Sequence, residues 1–129
     1  KLVYPAVVGK EWIFMTGSDP KNVPWSYHNG GNWPVLIWPF VGAALRAGRK
    51  DMAERALALL SQRIEADRWP EYYDGKRGGL IGRRANFYQV WSATGLIVAN
   101  EILENADSRA LFDQCTRVDL DAVHCPDLS

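Results

Sequence analysis

The hydrophobic pattern of this chain has one strongly amphipathic stretch between two that are apolar nearly all round. From Asp51 to Asp67, the residues Ala53, Ala56, Leu57, Leu60 and Ile64 recur at i, i+3, i+4 spacing, as one buried stripe of an α-helix does. Glu54, Arg55, Gln62, Arg63 and Glu65 fall largely outside that stripe, and Asp51 and Arg55 are spaced for an i,i+4 ion pair. This predicts a helix with one face in solvent. Before it, a helix expected from about Asn32–Pro34 to Arg46 carries apolar residues on most of its surface, as a buried helix does. Asn32 or Trp33 is the expected cap, with Pro34 tolerated in the first turn. Pro39 is a difficulty, because an interior proline removes a hydrogen bond and clashes with the preceding turn. Either the helix is kinked there or it starts later. A third helix, about Ala85 to Asn105, is again apolar nearly all round from Val90 to Ala99. A short fourth helix is expected over Ser108 to Cys115.

Leu2 to Val8 and Trp12 to Met15 are short runs rich in β-branched and aromatic residues, which predict a short extended N-terminal segment. The polar tail, residues 116–129, is expected to be flexible. The order buried, exposed, buried predicts an all-α arrangement of helical hairpins with an inner and an outer row. The link Gly48-Arg49-Lys50 is short, so helices one and two should pack antiparallel. If helix one runs up and helix two down, the loops entering helices one and three lie at the same end. These are Pro24 to Pro34 and Arg68 to Gly75, both rich in aromatic and small polar residues. His28, Asn29, Trp33, Glu71, Tyr72 and Tyr88 are therefore expected to face a common cavity.

Composition narrows the chemistry. A chain of 129 residues fits one domain, 1–129. Fifteen basic residues balance fifteen acidic ones, which argues against nucleic acid as a partner. Six tryptophans and five tyrosines are many for this length. Rings clustered beside Gly, Asn and His in two loops suit the apolar faces of sugars, with core packing as the competing explanation. Two cysteines, Cys115 and Cys125, make no disulfide framework, and a reduced cytoplasmic pair is the simpler reading. With two distant histidines they give no metal-ligand spacing, so no metal and no cofactor is expected. The apolar runs Val35 to Leu45 and Ala93 to Ala99 are too short to span a bilayer, and no membrane partner is expected. The chain begins with Lys1 rather than Met, so it is expected to be processed, truncated or a fragment.

Three motifs stand in order: Gly17-Ser18-Asp19-Pro20-Lys21-Asn22, then Pro24-Trp25-Ser26-Tyr27-His28-Asn29-Gly30-Gly31, then Asp67-Arg68-Trp69-Pro70-Glu71-Tyr72-Tyr73-Asp74. With Tyr88-Gln89 and Trp91 they resemble the C-terminal portion of the alkaline/neutral invertases, over about Leu2 to Leu111. The resemblance implies an (α/α)6 toroid, of which this chain supplies about two hairpins as an incomplete catalytic domain. It also implies hydrolysis of sucrose to glucose and fructose with inversion, in a cytosolic protein that is a homo-oligomer at full length. Carried over by its motif, Glu71 is one of the two catalytic carboxylates, taken here as the water-activating base. Inversion needs the two carboxyl groups roughly 6.5–9.5 Å apart, leaving room for water. The resemblance places the acid upstream of this chain. Asp19, Asp67 and Asp74 match no acid motif and read as turn, cap or surface residues.

Each remaining candidate has two readings. Glu71 alone could be a solvated loop glutamate. Tyr27, His28, Asn29 and Gln89 suit either sugar hydroxyls or loop bracing. Trp33, Trp69, Tyr72 and Tyr88 suit either sugar stacking or packing between helices. Arg83 and Arg84 read as loop-solvating residues, with contact of one of them to substrate as the alternative. Pro39 and the glycine-rich Arg77-Gly78-Gly79 depart from the family pattern. The alternative functions are another toroidal carbohydrate enzyme, such as a trehalase-like hydrolase or sugar epimerase, or a non-catalytic sugar- or partner-binding helical module.

Overall fold

The computed structural model describes residues 19–115. The expected extended N-terminal segment and the tail, with Cys125, lie outside them. A 3-10 turn, Pro34–Leu36, leads into α1 (Ile37–Arg46). After it come α2 (Lys50–Ser61), α3 (Val90–Glu104) and α4 (Ala106–Cys115). The described residues form an all-α arrangement in which isolated bridges, and no strands, tie the loops together.

The expected boundaries shift for identifiable reasons. Pro39 lies in the first turn of α1, after Pro34 opens the separate 3-10 turn. Amides in a first helical turn have no intrahelical acceptor, so neither proline breaks a ladder. Of the two options for Pro39, the later start is the one adopted. The second helix stops at Ser61 instead of Asp67. Residues 62–68 continue as single turns, and the Trp69 N–H reaches back to the Ile64 carbonyl at 2.9 Å. The third helix starts at Val90 instead of Ala85. The Tyr88 and Gln89 amides are already committed sideways, to the carbonyls of Arg68 (2.8 Å) and Trp69 (2.9 Å). Tertiary pairing overrides the local apolar pattern there.

Gly48, with φ of 71°, ends α1 in the left-handed conformation that glycine adopts freely. The short link folds α2 back along α1, so Val41 and Ala44 meet Ala53 and Leu57. Ala99 and Ile102 of α3 complete this core, and Phe112 of α4 packs against it. Two glycines permit the close approaches. A Cβ on Gly95 would lie 2.9 Å from the Val35 backbone, and one on Gly42 would lie 2.2 Å from the Phe112 ring.

The first and third helices were expected to be buried, and here they are not. Leu36 and Phe40 on one side, and Val90 and Ile97 on the other, stay exposed at 57%, 43%, 79% and 68%. The small core uses only one stripe of each helix. The remaining apolar positions have no covering layer among the described residues.

Candidate active site

The two aromatic loops meet as expected, and main-chain bonds hold them together. Asn32 and Tyr73 exchange N–H to carbonyl bonds of 2.9 and 2.7 Å. The Gly75 N–H donates to the Trp25 carbonyl at 2.8 Å. Residues 84–89 join the same layer, since the Glu71 N–H donates to the Asn86 carbonyl at 2.7 Å. The backbone is strained to achieve this. Among the described residues, six non-glycine residues have positive φ: Trp25, Tyr27, Arg68, Trp69, Arg84 and Tyr88. All six lie in these loops, and each such residue costs about 1–3 kcal/mol. Strain concentrated around one carboxylate is a property of sites whose geometry matters more than their stability.

The rings form one continuous stack. Tyr27 lies on His28 with centroids 4.1 Å apart, and Trp33 follows at 5.2 Å from Tyr27. Trp33 in turn stacks on Tyr72 at 5.4 Å and meets the edge of Trp91 at 5.8 Å. Tyr72 is fully buried. Its hydroxyl donates to the Arg83 carbonyl and accepts from Ser26 Oγ at 3.2 Å. Burial pushes the Tyr72 phenol above its usual value, against the lowering effects of the Ser26 hydrogen bond and the Lys21 charge. Gly82 lies against this ring, where a Cβ would come within 2.2 Å of it.

Glu71 stands next to Tyr72 and is 5% exposed. Its Oε2 accepts hydrogen bonds from the Asn86 main-chain N–H at 3.2 Å and from Asn86 Nδ2 at 3.1 Å. Lys21 Nζ lies 3.8 Å from the same oxygen. A buried carboxylate without such partners would be strongly unfavourable. Lys21 is itself held in place, with its ammonium 3.9 Å from the centre of the Tyr27 ring. Its main-chain N–H donates to Asp19 Oδ1 at 2.8 Å. The same turn is tied to the aromatic loop by the His28 N–H, which donates to Asn22 Oδ1 at 3.0 Å.

A second carboxylate in the same stretch has a different setting. Asp67 Oδ2 accepts from Arg63 Nε at 2.8 Å and from the Tyr73 hydroxyl at 2.9 Å. Burial raises the Asp67 carboxyl, but the hydrogen bonds from Arg63 and Tyr73 and the Arg63 charge outweigh it, so the net shift is downward. Burial, reinforced by the bond to Asp67, pushes the Tyr73 phenol up to about 12. Arg63 also donates to the carbonyls of Gly78 and Gly79. This triad is a brace for the glycine-rich turn.

The sequence-predicted residues are brought together selectively. Tyr27, His28, Trp33 and Tyr72 share the stack, with Glu71 adjacent in the chain to Tyr72. Asn29 is buried in the turn closed by Trp25, whose N–H donates to its carbonyl at 2.8 Å. Gln89 Nε2 donates to the Phe87 carbonyl at 3.1 Å, a bracing contact. Trp69 is half-buried, and Tyr88 stands outside the stack, 70% exposed. The expected common cavity is a packed cluster instead. Two cavities, of about 580 and 560 Å³, adjoin it, one lined by Trp33, Phe40 and Tyr73, the other by Trp38, Val90 and Trp91. Glu71 lines neither.

Sequence reasoning missed Asn86 and Lys21 as partners of Glu71. Lys21 sits in a motif read only for its turn chemistry, and Asn86 reaches Glu71 across 15 residues without a local signal. Among the described residues, no group of three or more His, Cys, Asp or Glu side chains could hold a metal ion. No helix among them is long and apolar enough to cross a membrane.

A family model described as alkaline and neutral invertase matches residues 1–106. Alkaline/neutral invertase E, chloroplastic, of Arabidopsis thaliana is 53% identical over 105 residues, covering 81% of this chain and 17% of that protein. Neutral/alkaline invertase 1, mitochondrial, of Oryza sativa subsp. japonica is 47% identical over 104 residues, 81% of this chain and 17% of that protein. Cytosolic invertase 1 of the same rice is 50% identical over 105 residues, 81% of this chain and 19% of that protein. The chain thus spans less than a fifth of the length of these relatives. Their names cover three compartments.

Proposed function

The chain belongs to the alkaline and neutral invertase family, and on that premise we propose that it is the C-terminal part of a sucrose-hydrolysing catalytic domain with Glu71 as its general base. The observation that carries this reading is the buried Glu71 carboxylate, oriented by Asn86 and by Lys21, whose ammonium also lies over the Tyr27 ring of the stack. In an inverting hydrolysis such a carboxylate takes a proton from the water that attacks the anomeric carbon. The opposite carboxylic acid belongs to an upstream part of the domain. His28, exposed at one end of the stack, is available to sugar hydroxyls, while Asn29 and Tyr72 shape the wall behind it.

The uncovered apolar faces of α1 and α3 support a domain larger than this chain, because exposed patches of that kind mark surfaces meant to be covered. In an (α/α)6 toroid they would pack on neighbouring hairpins. A cytoplasmic location and a homo-oligomeric state at full length complete the proposal.

Two experiments test it. The isolated 129-residue chain should release no glucose from sucrose, since it lacks the acid; turnover by the purified chain would overturn the split-site reading. In the complete polypeptide, Glu71→Gln should lower kcat by roughly 100- to 10,000-fold, the range for removing a general base. Near-wild-type turnover would remove Glu71 from that role.

A further inference from the structure

Every hydrogen bond that the described residues make to the Glu71 carboxylate falls on one of its oxygens. Oε2 takes the Asn86 main-chain N–H and side-chain amide, and the Lys21 ammonium lies beside it. A base that must accept a proton in one direction gains from this division. One oxygen is held still by donors, and the other keeps its lone pairs for water. From this geometry we infer that Asn86 and Lys21 are positioning residues for the proposed hydrolysis: they anchor Oε2 and leave Oε1 as the oxygen that takes the proton. The inference rests on Glu71 being the base.

The two residues do different work. Asn86 fixes the rotation of the carboxylate, because its main-chain N–H and side-chain Nδ2 approach one oxygen from one residue. The return bond, from the Glu71 N–H to the Asn86 carbonyl, keeps that residue opposite Glu71 whatever its side chain does. Lys21 Nζ, at 3.8 Å, is too far for a hydrogen bond and acts through charge, compensating a carboxylate withdrawn from water. Its reach is set by the Asp19 to Val23 turn, where the Asn22 N–H donates to the Asp19 carbonyl at 3.0 Å and the Val23 N–H to the Lys21 carbonyl at 2.9 Å. The ammonium also lies over the Tyr27 ring, so its position is fixed from two sides.

The step balances with water and a carboxylic acid from the rest of the domain. The water oxygen bonds to the anomeric carbon as the bond to the leaving oxygen breaks. The water proton passes to Glu71 Oε1, and the acid's proton passes to the leaving oxygen.

The test uses the complete polypeptide with sucrose as substrate. Asn86→Ala keeps both main-chain bonds and loses only the side-chain amide. Its kcat should fall roughly 10- to 100-fold, the range for one hydrogen bond to a charged group, with KM changed by no more than about two-fold. Lys21→Met should lose kcat on a similar scale, and Lys21→Arg, which keeps the cation, should recover most of it. A merely structural role would instead lower the melting temperature and raise KM without that rescue. Unchanged kcat in Asn86→Ala, or equal impairment of Lys21→Met and Lys21→Arg, overturns the inference. Should Asn86→Ala fail to fold, the near-isosteric Asn86→Asp replaces the amide donor with a like charge, and undiminished kcat there overturns it equally. Activity retained by Glu71→Gln would instead sink the base assignment itself, which separates the two failures.

Discussion

The loop layer and the helix layer are built on opposite terms. In the loops, polar groups are inside and partnered: Asn22, Ser26, Asn29 and Glu71 are all at most 5% exposed. In the helices, the interior is small, with three of its six core residues alanine, while Leu36, Trp38, Phe40, Val90, Trp91 and Ile97 remain outside. A fully buried large apolar side chain contributes about 1.5–3 kcal/mol, so much of this helix pair's hydrophobic stabilisation is left unrealised among the described residues. The loops, by contrast, already hold their own geometry through main-chain bonds. A site that must fix one carboxylate is best made from the layer that depends least on distant packing. Ser92 links the two layers, its Oγ donating from α3 to the Pro70 carbonyl at 2.9 Å.

The sharpest way to break the loop layer is to push its two strands of chain apart. A Cβ on Gly75 would fall 1.4 Å from the Gly30 carbonyl oxygen, which no side-chain movement can relieve. Gly75→Ala should therefore separate residues 25–30 from 73–75 and lose the Gly75 to Trp25 bond. We expect about 3 kcal/mol of destabilisation in the complete polypeptide, measured by denaturant unfolding. A loss below about 1 kcal/mol would mean the loops are not held by this contact.

The brace around Tyr73 gives a smaller and pH-dependent effect. Its phenol is raised from the ordinary 10.0 to about 12 by burial and by the bond to Asp67. A raised value means the contribution is fully present below pH 10 and is lost as pH rises toward about 12. Tyr73→Phe should lose about 1 kcal/mol near neutrality, where the hydrogen bond to Asp67 is missed. It should lack the wild-type decline above pH 10. Melting temperatures of both proteins across pH 8 to 12 check this, and parallel curves would contradict it.

The sequence made the helix layer legible through periodicity and the loop layer only through recognised motifs. Ala53, Leu57 and Ile64 sit inside as their spacing requires. The boundaries of α2 and α3 differ from the pattern for separate reasons: past Ser61 the apolar stripe continues to Ile64 while the backbone loosens into single turns, and before Val90 the main-chain groups of Asn86, Tyr88 and Gln89 bond to Glu71, Arg68 and Trp69. Chain order alone brought the two aromatic loops to one end, since a short link forces an antiparallel pair. It could not reveal that Asn86 would reach Glu71, or that Lys21 would be drawn inward. The loops that carry these contacts turn through positive φ at Trp25, Tyr27, Arg68 and Trp69, which no propensity of tryptophan, tyrosine or arginine announces.

The mildest contrast sets two ion pairs of identical spacing against each other. Arg63–Asp67 and Lys50–Glu54 are both i,i+4 pairs, at 2.8 and 3.3 Å. Arg63 also holds Gly78 and Gly79 and covers the Tyr73 ring at 4.1 Å, so its partner sits in a network spanning two loops. Lys50 and Glu54 lie on the open side of α2, with side chains 66% and 55% exposed. Their order is the less favourable one, with the base preceding the acid, and Lys50 stands at the helix start, where the dipole disfavours a cation. Glu54→Ala should accordingly change stability by no more than about 0.5 kcal/mol, and added salt should erase the difference. If Glu54→Ala instead cost as much as Asp67→Asn, spacing rather than connection to the loops would govern these pairs, and the distinction between the two layers would fail at its smallest scale.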